Sequence, residues 1–200
     1  MPRPKTLLQM AGVAPAPSRL SDAAVVVIDA QREYVDGKLP LLGVQNALSV
    51  IADLLARARS SGVPVIHIQH RGRPGGAFGP DTPGFSIAEL AHPRAGELVI
   101  QKTLPNAFAG TDLKTQLDAA GKKEIILAGF MTHMCVEATA RAAIDFGLKA
   151  TVIAAATATR DLPDPLSGET VLAPDVQRNA LAALNDRFAK IVPDLAAIPA

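Results

Sequence analysis

Short apolar runs alternate along this chain with stretches of helical period, and no other feature restricts its fold so strongly. Residues 23–28 (AAVVVI) form a continuous apolar run that ends in Asp29, the pattern of a central parallel strand covered on both faces. Residues 44–60 then carry Val44, Leu48, Ile51, Leu54, Leu55 and Ala58 at helical spacing, with Asp53, Arg57 and Arg59 off that face and Gly62 as the stop. The same alternation continues. Strands are expected at 63–70, 97–100, 124–128 and 149–154, and an edge strand at 190–192. Helices are expected at 111–120 with Thr111 as N-cap, from close to Cys135 up to Gly147, and at 174–188. Strand following helix in this way predicts an α/β fold: a doubly wound, mainly parallel sheet of five or six strands with helices on both faces.

Sites in such sheets lie outside the carboxyl ends of strands, where strand order reverses. Asp29 ends the first strand, Lys102 follows the third, and Cys135 follows the fourth across a turn opened by Gly129. A nucleophile, a proton carrier and a charge partner thus converge on one rim. Cys135 is the only cysteine in the chain. At the start of a helix, unpaired N–H groups and the macrodipole favour an anion, so a thiol pKa depressed from about 8.5 and a thiolate are expected there. The plainer reading is a small buried hydrophobe.

Two hundred residues suit one domain, with residues 1–20 as a Pro-rich arm on the surface or on a partner subunit. Lys plus Arg number 20 against 19 for Asp plus Glu, so no net field points to nucleic acid or an anionic membrane. With no Trp, the best stacking platform for single-stranded nucleic acid is also missing. A lone cysteine leaves no internal disulfide, and no apolar run approaches the ~20 residues that span a bilayer. A cytoplasmic protein is expected.

Three segments, VVVIDAQREYVDG, KTLPNAFAGTDL and GFMTHMCVEATARAA, occur in an order and spacing that resemble the isochorismatase-like cysteine hydrolases, and the similarity runs from Leu20 onward. The resemblance implies a Rossmann-like fold, a catalytic triad of Asp29, Lys102 and Cys135, and a cis peptide at Phe130–Met131. It also implies an oxyanion site made by the backbone N–H groups of Met131 and Cys135. The chemistry implied is hydrolysis of a small-molecule amide or related C–N bond through a thioester, with Asp29 moving the proton and Lys102 holding the charge. Nicotinamidases of this family hold a metal through an Asp-x-His and a later His. Here the corresponding place reads His70-Arg71-Gly72, so no metal and no cofactor is expected. The family commonly assembles, which implies a homodimer or larger homo-oligomer. An acidic residue frequent in relatives is replaced by Ala155.

Tyr34, Phe78, Phe108 and Thr132, with Met131, are candidates to line the substrate pocket, and the Gly/Pro-rich loop 71–83 is expected to close it. His67 and His70 are expected to be packed or hydrogen-bonded. His133 invites a Cys-His dyad that ranks below Asp29. Two rival readings stand beside the hydrolase: a catalytically silent small-ligand-binding or interaction module on the same fold, and a nicotinamidase or isochorismatase.

Overall fold

β1 (Ala23–Ile28) is buried along its whole length. Its side chains alternate between two apolar layers, with Ala23, Val25 and Val27 in one and Ala24, Val26 and Ile28 in the other. The computed structural model describes residues 3–200. In chain order the remaining strands are β2 (Val65–His70), β3 (Leu98–Lys102), β4 (Glu124–Phe130), β5 (Lys149–Ala158), β6 (Leu162–Pro163), β7 (Thr170–Val171) and β8 (Lys190–Val192). Six of them form one sheet in the order β3-β2-β1-β4-β5-β8, with every pairing parallel. β6 and β7 make a separate two-stranded hairpin. The expected doubly wound parallel sheet is present, and its order reverses between β1 and β4.

The helices are α1 (Leu7–Met10), α2 (Val44–Ser60), α3 (Leu113–Ala119), α4 (Glu137–Asp145) and α5 (Ala173–Arg187). α2 covers one face through Leu48, Ile51, Leu54 and Leu55, all buried. Truncating one such leucine to alanine costs about 2–5 kcal/mol. The other layer is completed by Leu113 and Leu117 of α3, Ala140 and Ala143 of α4, and Leu184 of α5. The N-terminal arm lies on the chain's own α5: a Thr6–Gln9 capping box opens α1, and the Leu7 N–H reaches Asp186 at 2.8 Å.

Several boundaries depart from the sequence reading. β3 starts one residue later and runs on to include Lys102, because that side of the ladder pairs as far as His70↔Lys102. β5 extends to Ala158 past a register shift opposite Leu127–Gly129. α3 starts at Leu113, and Thr111 acts from outside it, accepting the Leu113 N–H at 3.3 Å. The hairpin at 162–171 lies in a segment expected to be plain loop.

Candidate active site

The chain leaves β1 by a left-handed turn at Asp29, φ 48°. An L-residue held there costs roughly 1–2 kcal/mol. Two backbone bonds hold it: the Asp29 N–H donates to the Ile68 carbonyl at 2.9 Å, and the Gln31 N–H donates to the Asp29 carbonyl at 2.7 Å. Across the reversal, β4 closes on β1 so tightly that a Cβ at Gly129 would stand 2.0 Å from the Ile28 carbonyl oxygen. Gly129 also has φ 115°, so only glycine fits. The Phe130–Met131 peptide that follows is cis. Thr132–Val136 is then a single π-helical turn, and α4 begins only at Glu137. In that wide turn the Met131 carbonyl accepts from the amides of Met134 and Val136, at 3.1 and 3.2 Å, and passes over the amide of Cys135.

Lys102 ends β3, two strands from β1 in the sheet order. Two strand spacings are about 9.6 Å, and the four-carbon stem of a lysine can cover most of that gap. Its Nζ lies 2.6 Å from Asp29 Oδ2 and donates to Cys135 Sγ at 3.2 Å. The third neighbour is His70 Nδ1, at 3.2 Å. The three residues singled out from the sequence therefore meet at one ammonium. Asp29 and Lys102 have side chains with no exposure at all, and Cys135 is 5% exposed.

The electrostatics correct one expectation. Burial pushes the Cys135 thiol up to about 12, the Asp29 charge adds to this, and Lys102 opposes it. Burial thus opposes the thiolate expected at a helix start: Cys135 is buried and α4 begins only two residues later, at Glu137. Burial also raises the Asp29 carboxyl against the pull of Lys102. Both acids thus resist ionising, and one cation stands between them. The site holds one anion and one proton in either arrangement, proton on sulfur or proton on carboxylate, so transfer between the two leaves its net charge unchanged.

Tyr34 and Phe78 pack edge to face with centroids 5.0 Å apart, and Tyr34 meets Phe130 at 5.8 Å. Burial raises the Tyr34 phenol, and the charges of Asp29 and Cys135 add to this. Phe108 lies in the other apolar layer, with Cys135 and against Phe146. Thr132 departs from the pocket-lining role expected of it: fully buried, its hydroxyl donates to the Ala158 carbonyl at 3.1 Å and ties the turn to β5. His133 turns Nδ1 to Thr159 rather than to Cys135. Ala155 lines an apolar concavity of about 390 Å³ between α2 and α5 that does not reach the three residues.

Loop 71–83 is anchored from below. The buried Glu33 carboxylate accepts the Lys38 N–H at 2.8 Å and the Phe78 N–H at 3.3 Å. His67 is buried with Nε2 2.9 Å from Glu97 Oε2, and the part-buried His70 has Nδ1 3.2 Å from Lys102 Nζ, so each histidine is hydrogen-bonded within the protein.

Arg160 was not singled out in the sequence. Its charge acts on Tyr34 and His133, and while one guanidinium nitrogen donates to the Asp161 carbonyl, its Nε is buried without a hydrogen-bond partner among the described residues. Its place just beyond β5, the strand beside β4, was the available signal.

A family model described as an Isochorismatase domain matches residues 23–193. A secreted isochorismatase effector of Verticillium dahliae is 36% identical over 92% of this chain and 94% of its own length. A streptothricin hydrolase of Streptomyces noursei is 39% identical over 88% of this chain and 64% of its own. Among solved structures, an isochorismatase from Pseudomonas putida KT2440 superposes with a TM-score of 0.93 at 38% identity, covering 98% of this chain and all of that one.

Proposed function

This chain belongs to the isochorismatase family of hydrolases, and from that premise we propose that it is a cysteine-dependent hydrolase of a small-molecule amide or related C–N bond. One observation carries the reading: the Lys102 ammonium touches both the Asp29 carboxylate and the Cys135 sulfur, at 2.6 and 3.2 Å, at the point where strand order reverses. Asp29 takes the thiol proton as sulfur attacks the carbonyl carbon, and Lys102 stays paired with whichever group is anionic. The amides of Met131 and Cys135 receive the oxyanion, a role for which the bypassed Cys135 N–H is free of the Met131 carbonyl. Asp29 then gives its proton to the departing nitrogen, the C–N bond breaks and a thioester remains. Water, deprotonated by Asp29, releases the acid and restores the thiol. No step needs a metal.

Arg160, charged and short of one hydrogen-bond partner near Tyr34, favours a substrate carrying an anionic group. Tyr34 and Phe78 form the apolar wall. We read the chain as one domain with an N-terminal arm, working in the cytoplasm as a homodimer or larger; a free, unpaired Cys135 suits that compartment.

The test is a panel of small amides and ureides scored for ammonia or amine release, with Cys135→Ala as blank. Turnover by the wild type and none by the variant is expected. Equal release from both would refute the cysteine mechanism. A second reading, a silent ligand-binding module, is favoured by the thiol's rise to about 12; it predicts ligand-induced shifts in Tm without turnover across the panel.

A further inference from the structure

Lys102 has a third contact that the proposed chemistry leaves idle. His70 ends β2 and stands opposite Lys102 in the ladder, so their side chains share a face. An ammonium carries three N–H donors and no acceptor. The Lys102 ammonium donates to Cys135 Sγ at 3.2 Å, meets His70 Nδ1 at 3.2 Å and is ion-paired with Asp29 Oδ2 at 2.6 Å, so three acceptors stand around it. The Lys102 side chain has no exposure, so water does not stand ready to take over any of these bonds.

We propose that His70 is a positioning residue of this site: a neutral imidazole whose Nδ1 accepts an N–H of Lys102 and fixes the ammonium's rotation between carboxylate and sulfur. What the lysine is positioned for rests on the hydrolase reading above. The contact itself does not.

Several features are built around this contact. The buried Gln31 side chain clasps the His70 backbone from both sides, accepting its N–H at 2.8 Å and donating to its carbonyl at 3.0 Å. It takes the place of a ladder neighbour that β1 no longer supplies once the chain has turned away at Asp29. Phe78 meets the imidazole edge to face at 5.2 Å and limits its tilt. Burial, together with the Lys102 charge, brings His70 down to about 4, so the ring is neutral across the physiological range and Nδ1 keeps its lone pair. The proton then resides on Nε2, which has no hydrogen-bond partner among the described residues.

Two measurements test this without any substrate. The first is ¹⁵N NMR of the four histidines in the wild-type protein, with the His70 signals identified by their loss in His70→Asn. A neutral Nε2–H tautomer with Nδ1 accepting is expected; an Nδ1–H tautomer would overturn the proposal. The second compares iodoacetamide alkylation of Cys135 in the wild type, His70→Asn and His70→Leu, with Tm recorded for each. Asparagine retains an acceptor and leucine only bulk. Because a misplacement of about 1 Å can cost on the order of 100-fold, His70→Leu should slow alkylation by about 10- to 100-fold at unchanged Tm, and His70→Asn should recover part of it. Wild-type rates in His70→Leu, or equal loss in both variants, would overturn it. If His70→Leu does not fold, the tautomer decides alone. Failure of the amide panel would sink the hydrolase and leave this contact standing, while a wrong tautomer would do the reverse.

Discussion

Three side chains far apart in the sequence share one ammonium, and the roles they take are set by desolvation. Asp29 and Cys135 are both raised by burial, so each is a reluctant anion and a competent proton acceptor when the other needs one. General acid–base catalysis by one side chain contributes about 10²–10⁴-fold, so Asp29→Asn should lower turnover of any amide found in the panel by that factor, with little change in KM. A kinetic comparison of the two proteins checks this. The three residue types and their places at strand ends were legible in the sequence, because each follows an apolar run. The burial that opposes ionisation of the sulfur was not, since it depends on the π-turn and on α4 starting at Glu137. Nothing in local sequence marks an extra residue in a helical turn. Arg160 was missed for a related reason: its relevance comes from the register of β5, which runs four residues past its expected end.

At the scale of elements, two junctions hold the rim in place. One is the close approach of β4 to β1 at Gly129. A methyl group there would meet a backbone oxygen at 2.0 Å, in a left-handed conformation as well. Gly129→Ala should therefore cost about 3 kcal/mol or more, or prevent folding, as read from urea denaturation. The other junction is Glu97, where α2, β2 and the approach to β3 meet. Burial pushes its carboxyl up, but hydrogen bonds from Arg59, the Arg94 amide and His67 outweigh this and hold it at about 2, down from 4.5. The unfolded chain therefore takes up the proton first, and acid favours unfolding. The stability that Glu97 adds is complete above about pH 4.5 and is lost as pH falls towards about 2. Tm measured across that window should fall in the wild type and fall less in Glu97→Gln, which starts lower. The strands and long helices that frame these junctions were visible as apolar runs and helical periods. The junctions themselves pair residues 38 positions apart, as in Arg59–Glu97, and no periodicity reveals them.

The whole molecule is a sheet in the order β3-β2-β1-β4-β5-β8, and the alternation of elements foretold its class. Alternation alone does not say which strands neighbour each other; the switch between β1 and β4 is what brings Asp29 to Cys135. β3 is left at an edge, with Leu98 and Val99 exposed at 42% and 43%. Uncovered apolar edge strands invite pairing, so a dimer or larger assembly is expected by light scattering at micromolar concentration, and Val99→Lys should weaken it. A monomer mass for the wild type would contradict this.

The central claim is that sulfur, carboxylate and ammonium form one electrostatic unit, and the most direct measurement is the rate of Cys135 alkylation by iodoacetamide at about pH 8, well below the thiol's value of about 12. Removing the Asp29 charge should lower that value, and removing the Lys102 charge should raise it. Asp29→Asn should therefore react faster than the wild type and Lys102→Met more slowly. Equal rates in all three folded proteins would contradict the claim.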